Sequence, residues 1–110
     1  MSWETYIKGF RNYLKLERSL SENSIMAYLR DVRKLERFFE LKKKNLPPGA
    51  VTTQHLKDFL EYLNELGMSA YSQARIISGL RGFFNYLLGE ELIQTDPSEL
   101  IEGPRLGRKL

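Results

Sequence analysis

Residues 69–89 read SAYSQARIISGLRGFFNYLLG, with Ile76, Ile77, Leu80, Phe83, Phe84, Leu87 and Leu88 recurring at steps of three and four. That period is helical, because side chains about 100° apart return to one stripe only at such steps. Ser69 begins this helix and Gly89 lies near its end. The same pattern extends to both sides. Thr52 or Thr53 can cap a preceding helix whose stripe is Leu56, Phe59, Leu60, Leu63 and Leu66, with Gly67 at the left-handed terminating position. Ser21 is the expected cap of a longer helix of about five turns, with Ile25, Tyr28, Leu29, Val32, Leu35, Phe38 and Phe39 inward. Pro47, Pro48 and Gly49 stop it. The first helix carries Trp3, Tyr6, Ile7, Phe10, Tyr13 and Leu14 and fades near Glu17 to Ser19. Asp96 before Pro97 offers one more cap, for a brief fifth helix through about Leu100.

No stretch alternates with period two over a strand's length, and no Asn-Gly or Asp-Gly hairpin signal occurs. The expected fold is therefore all-α, a compact bundle of four main helices plus a short C-terminal helix. The same stripes would also serve an orthogonal packing. A chain of 110 residues makes one domain, large enough to bury roughly two-thirds of its unfolded surface without staples. It has no cysteine, which excludes disulfides and thiolate metal sites. With 42% apolar and 28% charged residues it is not a disordered chain. No uncharged run approaches the roughly 18–20 residues of a membrane span, so a cytoplasmic setting is expected. The organisation expected is a domain over residues 1–103, with 104–110 a basic, Gly- and Pro-punctuated linker.

Formal net charge is only +3, yet the charges are segregated. The second helix places Arg30, Arg33, Lys34 and Arg37 at steps of three and four on its solvent side, a basic ridge. Such a ridge can also be an ordinary solvated face, paired with Asp31, Glu36 and Glu40. The fourth helix carries more information. Between Gly67 and Gly89 there is no Asp, Glu or Lys, only Arg75 and Arg81 among Ser72, Gln73, Ser78, Gly79, Gly82 and Asn85. Arg75, Ser78, Arg81, Gly82 and Asn85 span roughly a third of the helix circumference, opposite Leu80, Phe84 and Leu87.

A small, polar, cationic face suits a helix approaching a polyanion. Arginine can pair bidentately with phosphate or guanine, hydroxyls and amides reach phosphate oxygens, and glycine removes bulk. Equally, Gly79 and Gly82 could let another helix pack closely, with the arginines at its rim. Arg30, Arg33, Lys34, Arg37, Ser72, Gln73, Arg75, Ser78 and Arg81 are the candidate residues for binding nucleic acid.

Catalytic chemistry is not visible. His55 is the sole histidine and has no metal-ligand spacing around it, so a surface role is expected. No phosphate-cradling glycine loop, nucleophile elbow or histidine-centred triad occurs. No cofactor, metal or catalytic residue is assigned. Most aromatics fall on inward stripes: Trp3, Phe10, Phe38, Phe39, Phe59, Phe83 and Phe84 are core candidates, whereas Tyr71 should project outward.

Leu20, Ser21, Glu22, Asn23 and Ser24, followed by Tyr28 and Asp31, resemble the opening motif of tyrosine recombinases of the XerC and XerD type. Ser72, Ala74, Arg75, Ser78, Gly79, Leu80, Arg81, Phe83, Phe84, Tyr86 and Leu87, then Asp96, Pro97 and the basic tail, resemble a later stretch of that family. The resemblance implies a SAM-like core-binding domain that, with a C-terminal catalytic domain, clamps duplex DNA at a recombination half-site. It implies that the second and fourth helices face the major groove. It places Ser24 where the family often has Thr, and Arg75, Ser78 and Arg81 at polar positions; Gly79 and Gly82 depart from the commoner Ala and larger residues. The family's tyrosine nucleophile and phosphate-binding arginines, lysine and histidine would lie beyond Leu110, making this fragment itself no enzyme. The implied partners are DNA and recombinase protomers of the same or a related type, with the isolated fragment a monomer. The competing reading is a helical protein-interaction or scaffold domain that does not bind DNA.

Overall fold

The computed structural model describes residues 3–103. The expected linker at 104–110 lies outside them. Four helices make up the described chain: α1 (Trp3–Leu16), α2 (Glu22–Leu41), α3 (Thr53–Glu65) and α4 (Ala70–Gly89), with a single 3-10 turn at Pro48–Ala50 between α2 and α3. The described residues contain no strand, and the all-α expectation holds.

Local chemistry sets the helix ends where the sequence places them. Ser21 Oγ accepts the Ser24 N–H at 3.2 Å, and Ser69 Oγ accepts the Ser72 N–H at 3.1 Å, so α2 and α4 begin with the same Ser-x-x-Ser cap. Of the two threonines, Thr52 caps α3. Its hydroxyl accepts the His55 N–H, while His55 Nδ1 accepts the Thr52 N–H at 3.0 Å. His55 thus completes a reciprocal capping box. Gly67 sits at φ +84°, in the left-handed region that glycine enters without a Cβ clash.

The short fifth helix does not form. Residues 97–100 are turns, although the expected Asp96 cap exists: its Oδ1 accepts the Ser98 N–H at 2.8 Å and the Ser98 hydroxyl at 2.6 Å. The segment is instead strapped to the bundle. Thr53 Oγ1 donates to the Pro97 carbonyl at 2.9 Å and Ile101 is buried, which takes the backbone away from a helical path.

The core is aromatic. Phe10, Phe39, Phe59, Phe83 and Phe84 are fully buried, and each such side chain contributes about 1.5–3 kcal/mol through area removed from water. Phe83 of α4 meets Phe10 edge-on at 5.4 Å and stacks with Trp3 at 6.1 Å, tying α1 to α4. All seven aromatic core candidates are buried, and Tyr71 is exposed. Two stripe residues are not inside: Leu66 is the C-cap of α3 and Leu88 lies in the last turn of α4, both open to solvent. α2 packs most extensively on α4, and this pair forms the platform for the candidate site.

Candidate nucleic-acid interface

The α2–α4 junction is built around a carboxylate. Asp31 of α2 is 2% exposed, and its side chain lies against Gly79 of α4. A Cβ at position 79 would stand 2.9 Å from Asp31 Cβ and 3.0 Å from Cγ, closer than carbon atoms pack. Three residues on, a Cβ at Gly82 would meet Tyr28 Cε1 at 3.2 Å. The two glycines therefore face α2 rather than solvent. Of the two roles open to them, close helix packing accounts for both positions.

Above Asp31 lies a groove of about 230 Å³ lined by Ser24, Ala27, Tyr28, Arg75 and Ser78. Three sequence candidates, Ser24 from the first turn of α2 and Arg75 and Ser78 from α4, thus share one depression. Burial pushes the Asp31 carboxyl above the usual carboxylate range, against the opposing pull of Arg75, Lys34 and Arg30. No hydrogen bond reaches Asp31 Oδ1. The alternative in which Asp31 pairs with the basic ridge on a solvated face does not hold for this residue: it is buried, and it forms no ion pair among the described residues.

The basic ridge adjoins this groove. Arg30, Arg33, Lys34 and Arg37 line a wider depression of about 590 Å³ with Met26, Leu29 and Arg11 of α1. Within it the cations differ. Arg33 forks onto Glu4 of α1, at 3.1 and 3.4 Å to its two oxygens, and Arg11 pairs with Glu22 at 3.1 Å. The guanidinium beside Glu4 holds that carboxyl below the usual range. Arg30, Lys34, Arg37 and Arg75 have no ion-pair partner among the described residues. Their charges are available to an external anion.

Three candidates stand apart. Gln73 is buried, and its amide donates to the Met68 carbonyl at 2.9 Å and to Asn64 Oδ1 at 3.4 Å, joining α4 to the end of α3. It is not on the surface. Arg81 donates to the Ile101 carbonyl, so it faces the C-terminal strap while Arg75 faces α2. Ser72 is exposed, but its hydroxyl accepts from Ser69 Oγ at 3.1 Å within the helix cap. Sequence reasoning missed Arg11, whose approach to α2 only packing reveals. It also misjudged Asp31, although Ala27 and Asp31, four apart at the edge of the inward stripe, already carried that signal.

The face is thus predominantly cationic, with Glu4 and Glu22 each paired to an arginine and Asp31 buried beneath it, and residues 7–91 match the family model described as phage integrase, N-terminal SAM-like domain. The chain belongs to that family. Similar proteins over nearly the whole of this SAM-like domain include tyrosine recombinase XerD of Staphylococcus saprophyticus, 38% identical over 107 residues, which are 97% of this chain and 36% of the relative. Tyrosine recombinase XerD of Chlorobaculum tepidum is 35% identical over 108 residues, 98% of this chain and 35% of the relative. Tyrosine recombinase XerD of Proteus mirabilis is 38% identical over 107 residues, 97% of this chain and 34% of the relative. The SAM-like domain spans about a third of the length of these relatives. Solved structures offered no match. No helix among its described residues is long and apolar enough to cross a membrane.

Proposed function

We propose that this SAM-like domain binds double-stranded DNA through its α2–α4 face, as the N-terminal part of a site-specific tyrosine recombinase that clamps a recombination half-site. Strand cleavage and rejoining then belong to a catalytic domain of the parent chain, which acts with further protomers on the same DNA.

The observation that carries the proposal is the clustering of cations on one face. Arg33 and Arg11 there are neutralised by carboxylates, whereas Arg30, Lys34, Arg37 and Arg75, gathered around a single pair of helices, form no ion pair among the described residues. Four unpaired cations repel one another, and a phosphate backbone relieves that repulsion while releasing its condensed counterions. Ser24 and Ser78 add hydroxyls within the same groove, and Ser24 lies at the N-terminal end of α2, where exposed N–H groups favour an anion. The names of the relatives support the recombinase context. The scaffold reading loses the feature that favoured it, because the glycine-bearing side of α4 is already filled by α2.

Fluorescence titration of a labelled duplex tests the proposal. Arg75→Ala and Lys34→Ala are each expected to weaken binding and to lower the slope of log affinity against log salt by about one. Binding that does not change between about 50 and 200 mM salt would instead favour a protein partner.

A further inference from the structure

We propose that Asp31 is the positioning residue of the α2–α4 groove, its buried charge drawing the unpaired Arg75 guanidinium toward the groove so that the arginine meets a DNA phosphate partly ordered. This rests on the DNA-binding reading above and assigns a task to a side chain that does not itself touch DNA.

The placement of the carboxylate calls for a role. A charge buried without a full set of hydrogen bonds opposes folding, and an apolar side chain of similar volume would fill the same space at less cost. Yet two helices are fitted around this one: Asp31 is 2% exposed on α2, and α4 has glycine at position 79, where a Cβ would strike it. Oδ1 has no hydrogen-bond partner among the described residues, and Arg75 and Ser78 line the same groove. The charged groups acting on Asp31 are Arg75 from α4 and Arg30 and Lys34 from its own helix, with Arg75 the strongest of the three.

An exposed arginine loses rotamer freedom when it captures a phosphate. A buried carboxylate lining the same groove biases those rotamers toward it beforehand without an ion pair that would use up the charge, and the five guanidinium donors suffice to face a carboxylate and a phosphate together. Simple Coulomb reasoning predicts the reverse outcome, since an anion near the groove repels DNA. The two effects therefore differ in sign.

The test is a double-mutant cycle on labelled duplex DNA at fixed low salt, with wild type, Asp31→Asn, Arg75→Ala and the double variant. Asp31→Asn is expected to weaken binding about three- to tenfold although it makes the domain more positive, and to have no effect in the Arg75→Ala background. The gap between wild type and Asp31→Asn should close as the pH is lowered and the wild-type carboxyl takes up its proton. Should the Asn variant not fold by circular dichroism, Asp31→Ala, which removes atoms facing Gly79, supplies the same comparison. Equal or tighter binding by the Asp31 variant, alongside weaker binding by Arg75→Ala, overturns the positioning role and leaves the DNA-binding reading standing. No loss on Arg75→Ala overturns both.

Discussion

Gly79 of α4 and Asp31 of α2 are matched across the helix interface, with room for the carboxylate only because position 79 has no side chain. The pairing explains a glycine in mid-helix, where it costs up to about 1 kcal/mol relative to alanine. It also makes the α2–α4 separation depend on one methyl group.

Gly79→Ala is therefore expected to destabilise the domain. Overpacking costs about 1–3 kcal/mol, which outweighs a propensity gain of at most about 1 kcal/mol. Urea denaturation should show a lower midpoint than wild type, whereas Gly89→Ala, with nothing within 4 Å, should be neutral or slightly stabilising. A higher midpoint for Gly79→Ala would mean the interface is looser than the contact implies.

Stability should depend on the Asp31 proton. Burial raises its carboxyl above the usual range, so the folded state holds this proton more tightly than the unfolded chain does. The folded state accordingly loses stability as pH rises through the raised value, and the penalty is fully present above it. Asp31→Asn should raise Tm at pH 7, and the advantage should shrink as the pH falls through the raised value and be gone below about 4. Calorimetry on both proteins across that range checks the sign.

Gln73→Ala should separate stability from binding. It strands the Met68 carbonyl and Asn64 at the α3–α4 corner, a loss of about 1–3 kcal/mol. Denaturant titration should register that loss while duplex DNA affinity stays at the wild-type level, because the amide points inward. A matching drop in affinity at low temperature would return Gln73 to the surface.

Arg81→Ala should loosen the C-terminal strap before it alters anything else. The guanidinium donates to the Ile101 carbonyl, and the remaining ties nearby are Thr53 to Pro97 and the buried Ile101 side chain. Hydrogen exchange or limited proteolysis should show faster opening of residues 98–103, with α4 itself unchanged. Equal protection in the two proteins would mean that burial of Ile101 holds the segment unaided.

Much of the fold is legible without coordinates, because a helix is a local object. Ser21, Thr52 and Ser69 cap their own third residues, Gly67 turns its own backbone, and Phe10, Phe59 and Phe84 repeat at helical steps that any reader can count. Local rules also misled at Asp96, where the cap formed and the helix did not, since Thr53 and the pocket for Ile101 draw that backbone elsewhere. Family membership is likewise written in the order of residues.

The candidate site is different. Whether a cation is free depends on what stands opposite it: Glu4 reaches Arg33 across 29 positions, and Ile101 takes Arg81 across 20. Arg75 and Arg81 look equivalent along α4 and part company only because α2 lies on one side and the C-terminal strap on the other. The chain alone determined four amphipathic helices, their caps and an acid-free α4, all of which follow from neighbours a few residues apart. Packing decided that Asp31 is buried, that Gly79 admits it, and that on the α2–α4 face Arg33 is paired while Arg30, Lys34, Arg37 and Arg75 form no ion pair among the described residues, because charge and volume are settled between side chains distant in sequence and adjacent in space.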